Sequence, residues 1–129
     1  MLRPEEGDNI MEGLKLYDAE YRLASIIWQL EPINSTELVK VCREQLGWKK
    51  STTYTMLKRL CERGVLQNEN ANVTALVKRE QVQKYESEAL LNRTFDGSLP
   101  AFLAAFLKDR RLSADEANEL RRMIEEAER

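Results

Sequence analysis

Residues 49 to 59 read Lys-Lys-Ser-Thr-Thr-Tyr-Thr-Met-Leu-Lys-Arg, a mixture suited to recognition rather than bond making. Lys49, Lys50, Lys58 and Arg59 can neutralise phosphate. The hydroxyls of Ser51, Thr52 and Thr55 can reach phosphate or base edges, a threonine methyl can meet thymine, and Tyr54 can hydrogen-bond phosphate. At helical spacing Met56, Leu60 and either Thr53 or Leu57 face inward, which leaves Thr52, Tyr54, Thr55, Lys58 and Arg59 outside. Ser51 and Thr52 fall near the N-terminus of the expected helix 50–63, the end that points into the groove in helix-turn-helix proteins and attracts phosphate. Alone, such a run is also what a solvated helix face looks like. Its neighbours decide between the two.

Other chemistries find little support. The chain of 129 residues has no histidine, so the usual zinc and copper ligand sets and the Ser-His and Cys-His nucleophile pairs are missing. Cys42 and Cys61 are expected to be reduced core residues, and no metal, cofactor or catalytic residue is expected. No carboxylate pair or glycine-rich phosphate loop points to an enzyme. No long apolar run or leader pattern is present, so the expected location is cytoplasmic, without membrane insertion. The net charge is −2, but residues 40–64 carry seven basic and two acidic groups, a balance of +5, while residues 1–20 balance at −4. At physiological salt charge acts over about 8 Å, so the local balance counts.

The elements that must position the run follow from patterning. Residues 1–16, with Pro4, Gly7, Gly13 and scattered acids, suit a flexible tail. Asp18 is a candidate cap for a helix with Tyr21, Ala24, Ile27 and Trp28 on one face, which Pro32 prevents from continuing far. Asn34 and Glu37 resemble a capping box for a second helix, with Leu38, Val41, Cys42 and Gln45 or Leu46 on its stripe; Gly47 stops it. Only a short turn then precedes the helix 50–63, which Gly64 can close in a left-handed conformation; Trp48 in that turn is expected against the core. "VLQN" and "NVTALV", separated by the turn-rich "NENAN", read as a hairpin. Lys78 and Arg79 at its base are further candidates for phosphate contact.

The second half reads as three more helices. Residues 79–95 place Val82, Tyr85, Ala89, Leu90 and Phe95 at helical spacing and end at Asp96-Gly97. Ser98 and Pro100 open a short apolar helix with Leu99, Phe102, Leu103, Phe106 and Leu107; Ser113 and Glu116 box the start of a last one with Ala117, Leu120, Ile124 and Ala127. These helices are too short to enclose a core and too apolar to leave in water, so a second copy of the chain is the expected cover. The expected dimer residues are Tyr85, Leu90, Phe95, Leu99, Phe102, Leu103, Phe106, Leu120 and Ile124.

The fold class is therefore mainly α with a small β-hairpin wing. It comprises a tail (1–16), a winged helix-turn-helix DNA-binding domain (17–78) and a C-terminal helical dimerisation domain (79–129). Trp28, the Trp48-to-Leu60 segment, Gly64 and the Phe95-x-Gly97 segment make the chain resemble the penicillinase repressor family over about residues 14–128. That family includes regulators of β-lactamase and methicillin-resistance genes and copper-responsive repressors. The resemblance implies a homodimeric transcriptional repressor whose third helix enters the major groove of a dyad-symmetric, palindromic operator on double-stranded DNA. Thr52 matches the family's recognition-helix threonine, and Thr55 and Arg59 match other shared positions, whereas Ser51 and Tyr54 stand where relatives often carry basic residues. No cysteine follows Cys61, unlike the copper-responsive members. In antibiotic-responsive members a membrane metallopeptidase sensor cuts an Asn-Phe bond; the matching bond here is Ala105-Phe106. The alternative function is a winged helix module that binds a protein partner and no specific DNA.

Overall fold

The computed structural model describes residues 14–129. Most of the expected tail, residues 1–13, lies outside the described residues. Its last residue does not behave as a tail, since Leu16 is buried in the core. The elements are α1 (Asp18–Leu30), β1 (Ile33–Asn34), α2 (Ser35–Leu46), α3 (Lys50–Glu62), β2 (Leu66–Glu69), β3 (Asn72–Ala75), α4 (Arg79–Phe95), α5 (Leu99–Leu107) and α6 (Ala114–Glu128). The protein is mainly helical, a winged helix unit followed by a helical C-terminal region.

Helix α1 starts one residue earlier than Asp18 as a cap would allow. Its N-cap is Tyr17, whose backbone N–H donates to Glu20 Oε1 at 2.9 Å. A carboxylate at the third helical position can reach back to the cap, so the glutamate sets the start. Leu23, Ala24, Ile26 and Ile27 are buried, with Tyr21 and Trp28 packed against the core edge to edge, 5.5 Å apart. Asn34 caps α2 by accepting from the Thr36 N–H, and Gly47 ends it at φ 70°. On α2 the buried stripe is Leu38, Val39 and Cys42, with Leu46 partly buried and Gln45 exposed.

After α3 and Gly64 (φ 78°) the chain enters the sheet. β2 and β3 pair antiparallel from Leu66↔Ala75 to Glu69↔Asn72. Only Asn70 and Ala71 lie between them, both at positive φ (53° and 65°), as a tight hairpin turn with the twist of its strands requires. The wing is thus tighter than a loop over "NENAN". A third strand, β1, was not expected from the sequence: Ile33 pairs with Val73 and Asn34 with Asn72, giving the order β1-β3-β2. Ser35 N–H also donates to the Ala71 carbonyl at 2.8 Å, tying the start of α2 to the wing turn.

The core gathers Leu23, Ile27, Leu38, Leu60, Val65, Leu66, Val73 and Val82, all essentially inaccessible. Burying each such side chain contributes about 1.5–3 kcal/mol before the entropy of ordering it. The chain divides into two units at Ala89 and Leu90, within α4. In the second unit Ser98 caps α5 through the Ala101 N–H and Ser113 caps α6 through the Glu116 N–H, both at 3.1 Å. None of its residues is buried.

Candidate nucleic-acid interface

Helix α3 is held by four inward residues, Thr53, Met56, Leu57 and Leu60. Both Thr53 and Leu57 are buried, so the inward stripe is wider than the spacing alone required. A turn of about 100° per residue then places Ser51, Thr55, Lys58 and Glu62 along the middle of the outward face. Tyr54 and Cys61 border it on one side, Thr52 and Arg59 on the other. Lys49, Lys50, Ser51, Thr52, Thr55, Lys58 and Arg59 are exposed and Tyr54 is half-buried. All eight expected contact residues therefore lie on one accessible helix face and its N-terminal turn.

The two borders differ. On one side Tyr54, Leu57, Lys58 and Cys61 line a recess of about 360 Å3 closed by Asn68 of the wing. Lys50 Nζ stands 6.0 Å from the centre of the Tyr54 ring, within reach of a cation–π attraction. The hairpin from Leu66 to Ala75 has no Lys or Arg, so any contact it makes is polar rather than cationic. On the other side Arg59 and Arg63 share a recess of about 350 Å3 with Lys15, Tyr17 and Glu20.

That second border rests on an ion pair the sequence did not announce. Arg63 Nη1 donates to Glu20 Oε2 at 2.7 Å, and Nη2 donates to the Lys15 carbonyl. Glu20 is 2% exposed and its other oxygen accepts from Tyr17, so its charge is fully engaged. The pair joins the last turn of α3 to the first turn of α1 and fixes the recognition-helix candidate against its scaffold. Residues 43 positions apart give no local signal of such a pairing.

Trp48 packs partly buried against the core, as its place in the turn suggested. Lys78 and Arg79 are already engaged by protein. Lys78 Nζ lies 3.0 Å from the Ala75 carbonyl and 3.5 Å from Glu31, and Arg79 sits 5.5 Å over the Trp28 ring. The same tryptophan donates from Nε1 to the Val77 carbonyl at 2.9 Å. This network fastens the end of the wing to α1, a bracing role the sequence did not indicate.

Cys42 is buried and Cys61 half-buried, both as free thiols. Burial raises both thiols above their ordinary value of 9.0, which suits packing rather than nucleophilic chemistry. Among the described residues no cluster of three or more Cys, Asp or Glu could hold a metal, and no helix is long and apolar enough to cross a membrane.

Of the expected dimer residues, Tyr85 lies in the first unit and is half-buried. In the second unit Phe95, Phe102 and Leu103 are half-buried, while Leu90, Leu99, Phe106, Leu120 and Ile124 are exposed. Phe95 meets Phe102 edge to face at 5.4 Å, and Phe102 stacks on Phe106 at 5.6 Å. Arg110 caps Phe106 at 4.2 Å from the ring centre. Ala105 is exposed beside Phe106 on α5.

Three helices, a small sheet with a hairpin wing, and an outward polar face on the third helix define a winged helix protein. The family model described as penicillinase repressor matches residues 16–126. Among curated proteins, the penicillinase repressor of Bacillus licheniformis is 30% identical over 116 residues, covering 87% of this chain and 91% of that protein. The methicillin resistance regulatory protein MecI of Staphylococcus aureus is 23% identical over 114 residues, covering 85% and 93%. The chain belongs to the penicillinase repressor family, a family of transcriptional repressors.

Proposed function

We propose that the protein is a homodimeric repressor that binds a dyad-symmetric operator on double-stranded DNA through α3, with residues 17–78 as the reading domain and residues 79–129 as the dimer domain. The observation that carries this reading is the segregation on α3: every apolar position but Cys61 faces inward, while hydroxyls and cations face out. Lys49, Lys50, Lys58 and Arg59 supply affinity through phosphates. Ser51, Thr52, Tyr54 and Thr55 supply selectivity at the N-terminal half of the helix, the part that enters the groove.

The apolar residues of α5 and α6 supply the dimer contact, since Phe106 and Ile124 are 49% and 54% exposed in the single chain. Relief of repression by a membrane metallopeptidase would act at the Ala105-Phe106 bond. DNase footprinting upstream of the protein's own gene tests the reading. Two protected half-sites with centres about 34 Å or a multiple apart are expected. A single asymmetric half-site, or no protection at concentrations that saturate folding, contradicts it.

A further inference from the structure

The recess on the α1 side of α3 has a charge arrangement that the reading of α3 does not use. Its walls are Lys15, Tyr17, Glu20, Arg59 and Arg63. Four are ionisable with permanent charge at neutral pH, and the one acid is spoken for: Glu20 is buried and saturated by Arg63 and the Tyr17 amide. Arg63 in turn holds the Lys15 carbonyl, so the ion pair positions the backbone that carries the lysine. The remaining charge on the walls is that of Lys15, whose Nζ is 5.4 Å from the Tyr17 ring centre, and Arg59. A recess of about 350 Å3 with two cations, one phenol and a neutralised floor suits an oxyanion.

We propose that this recess seats one phosphate group, with Lys15 and Arg59 neutralising it, Tyr17 forming a polar wall, and the Glu20–Arg63 pair acting as a positioning element. The proposal rests on the reading of α3 as a DNA-contacting helix, because Arg59 lies on the border of that face. The backbone phosphodiester of bound DNA is the source it favours; a free phosphate is the other source of the same chemistry. Lys15, which lies before α1 and far in sequence from α3, thereby becomes a contact residue.

The test uses the full chain and its Lys15→Gln variant, with Lys108→Gln as a charge-matched change in the second unit. In one arm, affinity is measured against salt for the duplex upstream of the gene and for a random duplex. Lys15→Gln is expected to weaken both several-fold and flatten the slope of log K against log salt by about 0.9, while Lys108→Gln keeps the wild-type slope. In the other arm, thermal unfolding is followed in millimolar inorganic phosphate and in chloride of equal ionic strength. A Lys15-dependent change in slope assigns the DNA backbone as source. A Lys15-dependent stabilisation by inorganic phosphate with unchanged slope assigns free phosphate. Lys15→Gln behaving as wild type in both arms overturns the seat. Wild-type binding reports separately on α3: if the wild type shows no salt-dependent duplex affinity, the reading of α3 fails and the phosphate arm alone decides the recess.

Discussion

Arg63 Nη1 lies 2.7 Å from Glu20 Oε2, and this contact ties the end of α3 to the start of α1 across 43 residues. Removing the arginine leaves a carboxylate that is 2% exposed without its cation. Loss of one partner from a fully buried pair costs about 3–5 kcal/mol. The Arg63 side chain is 26% exposed, so solvent screens part of this, and Arg63→Met is expected to cost about 2 kcal/mol in urea denaturation. The double change Glu20→Gln with Arg63→Met should recover part of that loss. A single variant as stable as wild type would show that the pair does not hold α3.

Thr53 is buried on the inner side of α3 and its hydroxyl has no hydrogen-bond partner. An unsatisfied buried hydroxyl costs about 1–3 kcal/mol, and valine has nearly the same shape. Thr53→Val is therefore expected to raise stability by about 1 kcal/mol, or the thermal midpoint by about 4 °C, at fixed protein concentration. A lowered midpoint would mean that the hydroxyl is satisfied after all.

Readout and affinity should separate along α3. Thr52→Ala is expected to cost about 1–2 kcal/mol more on the operator than on random DNA, because it removes a group near base edges. Lys58→Ala and Arg59→Ala should weaken both duplexes alike and each reduce the salt slope by about one. Equal losses on both duplexes for Thr52→Ala would take it out of the readout.

The two thiols set a limit at high pH. Burial raises both above the ordinary 9.0, so the folded state holds their protons more tightly than the unfolded chain does. Their stabilising contribution is complete below about pH 9 and is lost as pH climbs past the unfolded value toward the folded one. Denaturation midpoints should fall from about pH 9 upward, and iodoacetamide at neutral pH should label Cys42 far more slowly in the native protein than in the unfolded chain. Labelling at the unfolded rate would place Cys42 outside the core.

Much of this architecture is legible in the chain because its signals are local. The helix Arg79–Phe95 and the caps Ser98 and Ser113 follow from residues within a turn of one another. What escapes is made by distant partners. β1 is two residues long and exists through its pairing with Val73 and Asn72, for which the sequence around Ile33 carries no signal. The wing turn uses Ala71 at φ 65°, a residue that does not advertise a left-handed turn. Glu20 looks like a solvent-facing charge until Arg63 is brought to it. The outward face of α3 was readable from its spacing, whereas its flanks, Lys15 and Tyr17 on one side and Asn68 on the other, come from elsewhere in the fold.

The apolar face of the second unit gives a prediction of assembly. Phe106→Glu or Ile124→Glu would bring a charge into a dry contact, which is expected to raise the dimer dissociation constant at least about 100-fold. Sedimentation velocity would then show monomer with an unchanged helical spectrum. Dimers of wild-type strength in both variants would place the contact elsewhere.

The central claim, that α3 reads DNA, is tested most directly by titrating salt against wild-type affinity for the duplex upstream of the gene. Four cations on the α3 segment of each of two protomers predict that log K falls against log salt with a slope of about −7. Affinity that stays flat across the same range would contradict the account and point to a protein partner on this face.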